Sequence, residues 1–184
     1  ITAVQVTVGE RVTFIATDRF RVAEYAASAT VESEGVVLIP AQVLSDAAKS
    51  FTGEVSIGAT GADNPKVVIS GNEGSVMSLM VAGNYPPVSR LMDIAVGGST
   101  VVDTDALAET VSRCSVVVER EQPLRFEFGA DTLIVSSTQS DSEATESLPV
   151  TDGHDQVMAL KPQFVVEGLK ACRWALRYSH SATT

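Results

Sequence analysis

The residues best suited to recognition chemistry cluster at residues 15–23, where Arg19, Phe20 and Arg21 follow an alternating apolar stretch. An arginine guanidinium can donate paired hydrogen bonds to a carboxylate or bond a peptide carbonyl, and a neighbouring phenylalanine ring adds apolar contact area. This combination is typical of surfaces that bind another molecule. We therefore interpret the segment as part of a docking surface.

The elements that must hold this segment are two β-strands. Apolar residues alternate with polar ones over residues 4–8 and again over residues 12–16, which is the period of a half-buried strand. Gly9 and Glu10 between them predict a two-residue turn. The second strand of this hairpin is expected to end in residues 17–22, and a strand end holds its side chains in fixed positions.

Catalytic and metal-binding chemistry find little support in the sequence. His154 and His180 are far apart in the chain, which argues against a metal pair or a catalytic base. The sequence has no phosphate loop, no nucleophile elbow and no dinucleotide-binding glycine motif. Asp18 beside two arginines is interpreted as one partner of an ion pair rather than as a catalytic acid. We predict no catalytic residue, no metal site and no cofactor.

Composition favours a β-rich α+β architecture. The chain has 184 residues, of which 45% are hydrophobic and only 5% aromatic, and valine recurs in short alternating runs. Its net charge of −10 argues against a protein that coats nucleic acid by bulk attraction. Most of the acidic excess lies in residues 119–152, whereas residues 162–177 carry three basic side chains against one acidic one.

The sequence also bears on where the protein works. No run approaches the roughly 18 consecutive apolar residues that a membrane helix needs, so no membrane association is predicted. Cys114 and Cys172 have neither metal-site nor redox-pair spacing and are expected to be reduced, buried thiols. This favours a cytoplasmic location. Because the chain starts in mid-strand without methionine, we expect that residues precede it.

A short strand followed at once by a helix occurs three times. Aligning Pro40, Asp103 and Lys161 brings these units into register, each with an apolar run before the anchor and an amphipathic pattern after it. The predicted helices carry basic residues at nearly the same position of the repeat: Lys49, Arg113, Lys170 and, one turn further, Arg173. If the helices lie side by side, these residues form a weakly basic concave surface that suits phosphates without reading bases.

Two of these units, with antiparallel strands between the helices, are enough to form one domain. Residues 84–98 contain a Pro-Pro and a Gly-Gly pair and are predicted to link a domain at residues 1–93 to another at residues 94–184. The polar run at residues 136–147 is expected to form a hairpin, because long unstructured loops are rare inside compact domains.

Three motifs resemble those of a known family. They are Ala-Thr-Asp-Arg-Phe-Arg-Val-Ala at residues 16–23, Ile-Pro-Ala at residues 39–41 and Asn-Tyr-Pro-Pro-Val-Ser-Arg-Leu-Met at residues 84–92. Their order and separations, with the threefold unit, are similar to those of the bacterial sliding clamp, the β subunit of DNA polymerase III. The resemblance implies a DNA-clamp fold, with antiparallel sheets outside and helices on the inner face.

The resemblance also implies which parts of a clamp are present and what they do. Residues 1–93 would be the middle domain without its N-terminal helix, and residues 94–184 the C-terminal domain without its last strands. Clamps of this family are homodimeric rings that encircle duplex DNA without sequence specificity and tether the replicative polymerase, with no catalysis of their own. The clamp loader and repair proteins also bind the ring, through short linear motifs.

In this family the linear motifs bind a hydrophobic cleft between the second and third domains. By position, the resemblance implies that the cleft uses Thr17, Arg19, Phe20, Arg21, Val22, Pro86, Arg90, Leu91 and Phe164. Apolar walls with a few fixed polar groups suit an extended peptide. The chain departs from the family at three places. Arg19-Phe20 replaces a common Gly-His pair, Lys161-Pro162-Gln163-Phe164 replaces an Asn-x-x-Tyr pattern, and Glu121 occupies a position that is often aromatic.

Two other classes of function stay open at this level. A β-rich extracellular adhesion module would explain the acidic, Val-, Thr- and Ser-rich strands and the lack of an active site, but not the repeated basic helix position. An enzyme whose active site lies on segments outside this chain is the other alternative.

Overall fold

The structure is a computed structural model that describes residues 2–61, 63–93, 96–118, 122–139, 142–171 and 176–181. It divides into two units, Ile1–Asp93 (unit 1) and Ile94–Thr184 (unit 2), each with its own core. No helix in the described ranges is long and apolar enough to cross a lipid bilayer.

The described part of unit 1 consists of two antiparallel sheets, one α-helix and a short 3-10 helix. In chain order its elements are β1 Ala3–Val8, β2 Val12–Thr17, β3 Val22–Ala27, β4 Gly35–Pro40, α1 Ala41–Ser50, β5 Ser56–Thr60, β6 Lys66–Gly71 and β7 Gly74–Leu79. One sheet has the order β3-β2-β1-β4 and the other the order β5-β6-β7. Alternating apolar residues of β1 and β6 turn one face of each sheet toward a shared core, whose buried members are Val6, Ile39, Ala47, Val67 and Ile69.

The first hairpin confirms the predicted strands and corrects the predicted turn. Val8 pairs with Val12, so the connection contains three residues rather than the two predicted, and the Gly9 N–H donates to the Arg11 carbonyl at 3.1 Å. The sequence pattern located both strands because alternation is a local signal. Which residues face each other across the turn depends on the register of the two strands, and alternation does not fix that register.

In its described residues, unit 2 consists of one six-stranded antiparallel sheet, two α-helices and a 3-10 turn at Ser115–Val117. Its elements are β8 Val96–Val102, α2 Thr104–Cys114, β9 Leu124–Phe128, β10 Thr132–Gln139, β11 Ser142–Thr151, β12 Gln156–Leu160, α3 Pro162–Ala171 and β13 Leu176–Ser181. The sheet order is β12-β9-β10-β11-β8-β13. The helices α2 and α3 pack against each other, and α2 also contacts β10 and β11. Leu124, Phe126, Leu133 and Val135 fill the core beneath the helices.

All three predicted strand-helix units are present. In each, a strand ends at or just before the aligned position and a helix begins one or two residues later, at Ala41, Thr104 and Pro162. The Asp103 carboxylate caps α2 by accepting a hydrogen bond from the Ala106 N–H at 2.8 Å. Strong local signals, namely a cap, a proline and apolar periodicity, specify these boundaries.

The predicted linker at residues 84–98 is shorter than expected. A short 3-10 helix occupies Val88–Leu91, and β8 already begins at Val96, so Gly97 and Gly98 lie within a strand. Glycine weakens an isolated strand, but pairing of β8 with β11 and β13 compensates for it. At Gly98 a side chain would meet the His154 ring at about 3.1 Å, which explains why glycine fits this strand.

The polar run at residues 136–147 forms a hairpin, as predicted. Its strands β10 and β11 pair in register from Thr132 opposite Pro149 to Gln139 opposite Ser142. Residues 140–141, between the two strands, lie outside the described residues. A strongly polar run can therefore form paired strands when the same hairpin also contributes apolar residues, such as Val135, to a core.

Candidate functional site

The segment with the two arginines is a loop between strands rather than a strand end. Thr17 closes β2 and pairs with Val22 of β3, so residues 18–21 form the connection of a β-hairpin. This corrects the prediction that residues 17–22 end a strand. Alternation could not show that the chain reverses here, because the reversal is made by side-chain hydrogen bonds within the loop.

The Asp18 carboxylate organises this loop. Its Oδ1 accepts hydrogen bonds from the N–H groups of Phe20 and Arg21 at 3.0 and 2.8 Å, and its Oδ2 accepts from Arg21 Nε and Nη2 at 3.0 and 2.7 Å. The predicted ion pair is thereby confirmed, with Arg21 as the partner. The Arg21 guanidinium and the two backbone N–H groups lower the pKa of Asp18 from its ordinary value of 3.8 to about 2.

The hydroxyl of Thr17 completes the loop from the other side. It donates to the Arg21 carbonyl at 2.6 Å and accepts from the Arg19 N–H at 3.1 Å. Arg19 has a φ of 79°, in the left-handed region that glycine adopts without strain. Local hydrogen bonds thus hold a non-glycine residue in a conformation that costs about 1 kcal/mol or more. At the tip of this hydrogen-bonded loop, Phe20 is 77% exposed.

We expect the Asp18 carboxyl to titrate near pH 2, about two units below an ordinary aspartate. Because the folded-state pKa is the lower one, the stabilisation that Asp18 gives the loop is complete above its ordinary pKa. It is lost as the pH falls from about 4 through about 2. An NMR titration of side-chain carboxyl carbons measures this directly. A midpoint near 4 for Asp18 would contradict the hydrogen-bonded loop.

A second segment of unit 1 is anchored beside this loop. The Tyr85 hydroxyl donates to the backbone carbonyls of Ile15 at 3.2 Å and Ala3 at 3.4 Å. Burial raises the pKa of the Tyr85 hydroxyl, and an interaction with the Thr17 backbone partly offsets that rise. Tyr85 therefore fixes the start of residues 84–92 at the end of β2 from which the loop emerges. From this anchor the chain leads into the exposed side chains of Arg90 and Leu91.

The residues assigned to the cleft by resemblance fall in both units. Arg19, Phe20, Pro86, Arg90 and Leu91 are exposed, whereas Thr17, Arg21 and Val22 are half-buried. Phe164 belongs to unit 2, where it lies half-buried in the first turn of α3. Sequence reasoning missed Tyr85 as an anchor. The only available signal was that it is the one aromatic residue in the motif at residues 84–92.

The predicted basic positions differ in their surroundings. Lys49 of α1 and Lys170 of α3 are exposed in the last turns of their helices. Arg113 of α2 is also exposed, but it forms ion pairs with Glu146 and Glu109. Arg173 lies outside the described residues. The helices thus differ in how much positive charge they offer to solvent.

Arg113 binds Glu146 through two of its nitrogens. Arg113 Nε lies 2.7 and 3.0 Å from the two carboxylate oxygens of Glu146, and Nη2 lies 2.7 Å from one of them. The pairing raises the pKa of Arg113 and lowers that of Glu146. Sequence reasoning treated Arg113 as an available cation because its partner is 33 residues away and reaches it only through the fold.

Cys114 and His154 of unit 2 lie in surroundings that indicate a structural role. Cys114 is a buried free thiol near the Val135 carbonyl, and burial raises its pKa. His154 Nδ1 is 3.2 Å from the hydroxyl of the buried Thr100. Cys172 lies outside the described residues, and so does the predicted departure at Glu121. No group of three or more metal-ligating side chains occurs within the described ranges.

Comparison with known sequences identifies one family along most of the chain. The central domain family of the DNA polymerase III beta subunit matches residues 2–87, and the C-terminal domain family of the same subunit matches residues 97–175. A beta sliding clamp of Micrococcus luteus is 34% identical over 160 residues, covering 82% of this chain and 51% of that protein. One of Streptomyces coelicolor is 28% identical over 172 residues, covering 89% of this chain and 46% of that protein.

Comparison with solved structures shows the same fold. The chain superimposes on a sliding clamp of Pseudomonas aeruginosa, described as bound to griselimycin, with a TM-score of 0.87 at 19% identity. The match covers 98% of this chain and 51% of that chain. The α+β fold with antiparallel sheets, predicted from the strand-helix repeat and the motifs, is confirmed. The chain spans about half the length of the curated relatives it matches.

Proposed function

The chain belongs to the family of the DNA polymerase III β subunit, the bacterial sliding clamp, and we propose that the whole protein is a ring-shaped processivity factor. It encircles duplex DNA without reading its sequence and tethers the replicative polymerase. The observation that carries the proposal is the consecutive match of the central and C-terminal domain families over residues 2–87 and 97–175. Together these matches leave little of the chain unassigned.

The proposed mechanism is topological, so the chain makes or breaks no bond and uses no cofactor. A polymerase tethered to a closed ring stays close to the DNA after it releases the template. It therefore rebinds the same template instead of being lost to solution. The exposed cations Lys49 and Lys170 fit the inner surface of such a ring. Phosphate contacts of this kind are electrostatic and independent of sequence, and a few of them permit sliding.

The proposed docking site for partner proteins is the loop at residues 18–21 together with residues 86–91. It offers exposed apolar surface at Phe20 and Leu91, beside polar backbone that is held in place by Asp18 and Tyr85. A rigid apolar site with a few fixed polar groups binds a short peptide at a low entropic cost. The proposed ligands are linear motifs of the polymerase, the clamp loader and repair proteins.

The remaining parts of the proposal follow from the family. The full-length protein forms a homodimeric ring in the cytoplasm and acts as a non-catalytic subunit of the polymerase holoenzyme. Family membership supports this interpretation over an adhesion module, since adhesion does not account for two consecutive clamp domain families in one chain.

The experiment that tests the proposed function compares closed and open DNA. Full-length protein is loaded by its clamp loader onto nicked circular duplex, and the retained protein is measured after gel filtration. A topological clamp stays on the circle and is lost when one cut linearises the DNA. Equal retention on circular and linear DNA would contradict encirclement. A chain without a DNA role would be retained on neither.

Reversing the charge of Lys170 in α3 should weaken the contact between the loaded ring and DNA. We expect Lys170→Glu, alone or with Arg173→Glu, to reduce retention on nicked circles and to reduce the salt dependence of DNA binding by about one phosphate contact for each residue. The matched control is Arg11→Glu, an identical charge reversal in the turn between β1 and β2. Peptide binding should be unchanged in all of these variants. Equal retention for Lys170→Glu and Arg11→Glu would remove Lys170 from the inner surface.

A further inference from the structure

We infer that Glu146 sets the strength of the DNA contact made by α2, because it holds the guanidinium of Arg113 that would otherwise bind phosphate. The inference rests on the proposed clamp function. It adds a residue of the sheet, Glu146, that lowers the affinity of the ring for DNA and thereby favours sliding.

The strand β11 directs the Glu146 side chain toward the helices. Along β11, side chains alternate between the two faces, and Ala144, Glu146, Leu148 and Val150 share the more buried one. Leu148 and Val150 enter the core beneath the helices. Glu146 lies on the same face nearer the hairpin tip, where it reaches α2 at Arg113.

The guanidinium of Arg113 contacts hydrogen-bond acceptors on several sides. Glu146 accepts from Nε and Nη2, Glu109 Oε2 lies 3.4 Å from Nη1, and the Thr110 hydroxyl lies 3.4 Å from Nη2. All three nitrogens of the side chain thus contact an acceptor within unit 2. A DNA phosphate would have to displace at least one carboxylate to form its own paired hydrogen bonds with this arginine.

The side chains of Arg113 and Glu146 differ in their exposure to solvent. The side chain of Arg113 is 55% exposed, whereas that of Glu146 is 31% exposed. The cation is therefore within reach of a ligand in solution, while its main counterion is set back toward the sheet. Removing the charge of Glu146 should leave an accessible arginine in nearly the same place, still oriented by Thr110 and Glu109.

In a sliding ring, the pairing of Arg113 with Glu146 limits the electrostatic attraction between α2 and DNA. Every phosphate contact adds to affinity through counterion release, and too many contacts would slow movement along the duplex. An arginine with an internal carboxylate adds less than a solvated lysine such as Lys170. Glu146 thus weakens the α2 contact without removing the basic residue from the helix.

The test uses the full-length protein with Glu146→Gln, which keeps the side-chain shape and removes the charge. We expect affinity for a short linear duplex to rise by about twofold to fivefold at low salt, the factor equivalent to an exposed ion pair. The log-log salt slope should steepen by about 0.9, the value for one added phosphate contact. Diffusion of the loaded ring along DNA should slow accordingly.

Two further variants make the outcome decisive. Glu143→Gln removes the same charge from the opposite face of β11 and should leave the salt slope unchanged. The double variant Glu146→Gln with Arg113→Gln should lose the gain, because the released cation is no longer present. Thermal unfolding of each variant checks that the fold is intact.

The results separate this inference from the proposed function. If the wild-type ring is retained on circles but Glu146→Gln behaves like Glu143→Gln, the role of Glu146 is refuted while the clamp stands. If the wild-type protein shows no difference between circular and linear DNA, the proposed function itself fails. A gain that survives in the double variant would also overturn the inference, since it could not come from Arg113.

Discussion

Truncation of Leu91 to alanine in the full-length protein should weaken binding of a clamp-binding peptide by about 1–3 kcal/mol, a factor of about 5 to 150. Leu91 is 55% exposed at the end of a short 3-10 helix that Tyr85 anchors to the sheet. A large apolar side chain held open to solvent on an anchored segment gains most when a ligand covers it. Titration of a fluorescent peptide gives the two affinities.

Arg21→Ala should cause a loss of the same size, for a different reason. Its guanidinium and backbone N–H both bind Asp18, so Arg21 helps to order the loop that carries Phe20. Arg21→Lys keeps the charge but cannot form the paired contact, and it should recover only part of the affinity.

The control for both substitutions is Met77→Ala in β7. Met77 is 59% exposed, comparable to Leu91, but belongs to the three-stranded sheet of unit 1. Its truncation should leave peptide affinity within the experimental error. If Leu91→Ala and Arg21→Ala both bind as tightly as the wild type, the assignment of the docking site to this part of unit 1 is wrong.

Substitution of Phe126 by alanine should have the largest effect on stability, lowering the free energy of unfolding of unit 2 by about 3–5 kcal/mol. Phe126 is 2% exposed and lies in β9, between β10 and β12, opposite Val135 and Met158. Truncation removes apolar contacts and leaves a cavity that neighbouring strands cannot fill without breaking their pairing. Hydrogen exchange followed by mass spectrometry under increasing urea reports on unit 2 separately from unit 1.

Ile134→Ala is the matched control for this prediction. Ile134 lies on the adjacent strand β10 with 37% of its surface exposed, on the face opposite Leu133 and Val135. Its truncation should cost much less than that of Phe126, because little surface is removed from the core. Equal losses for the two variants would mean that the core does not lie where the burial pattern places it.

Local patterns in the sequence predicted the elements of this fold well. Alternation located the first hairpin and β9, and the repeat anchored at Pro40, Asp103 and Lys161 located three helices within a residue or two. These features depend on neighbours within one or two turns of the chain, where side-chain period, caps and prolines act directly. The domain families then confirmed the family that the motifs suggested.

Sequence patterns were therefore enough to predict the strand-helix repeat, the α+β class and the motifs of the proposed docking segment. The folded structure was needed to show that residues 18–21 are a loop closed by Asp18, that Gly97 belongs to a strand, and that Arg113 is paired with Glu146. The strand that contains Gly97 and the Arg113–Glu146 pair depend on residues distant in the chain, which packing and register bring together. The loop depends on hydrogen bonds between near neighbours, and the alternation of apolar and polar residues carries no information about those bonds.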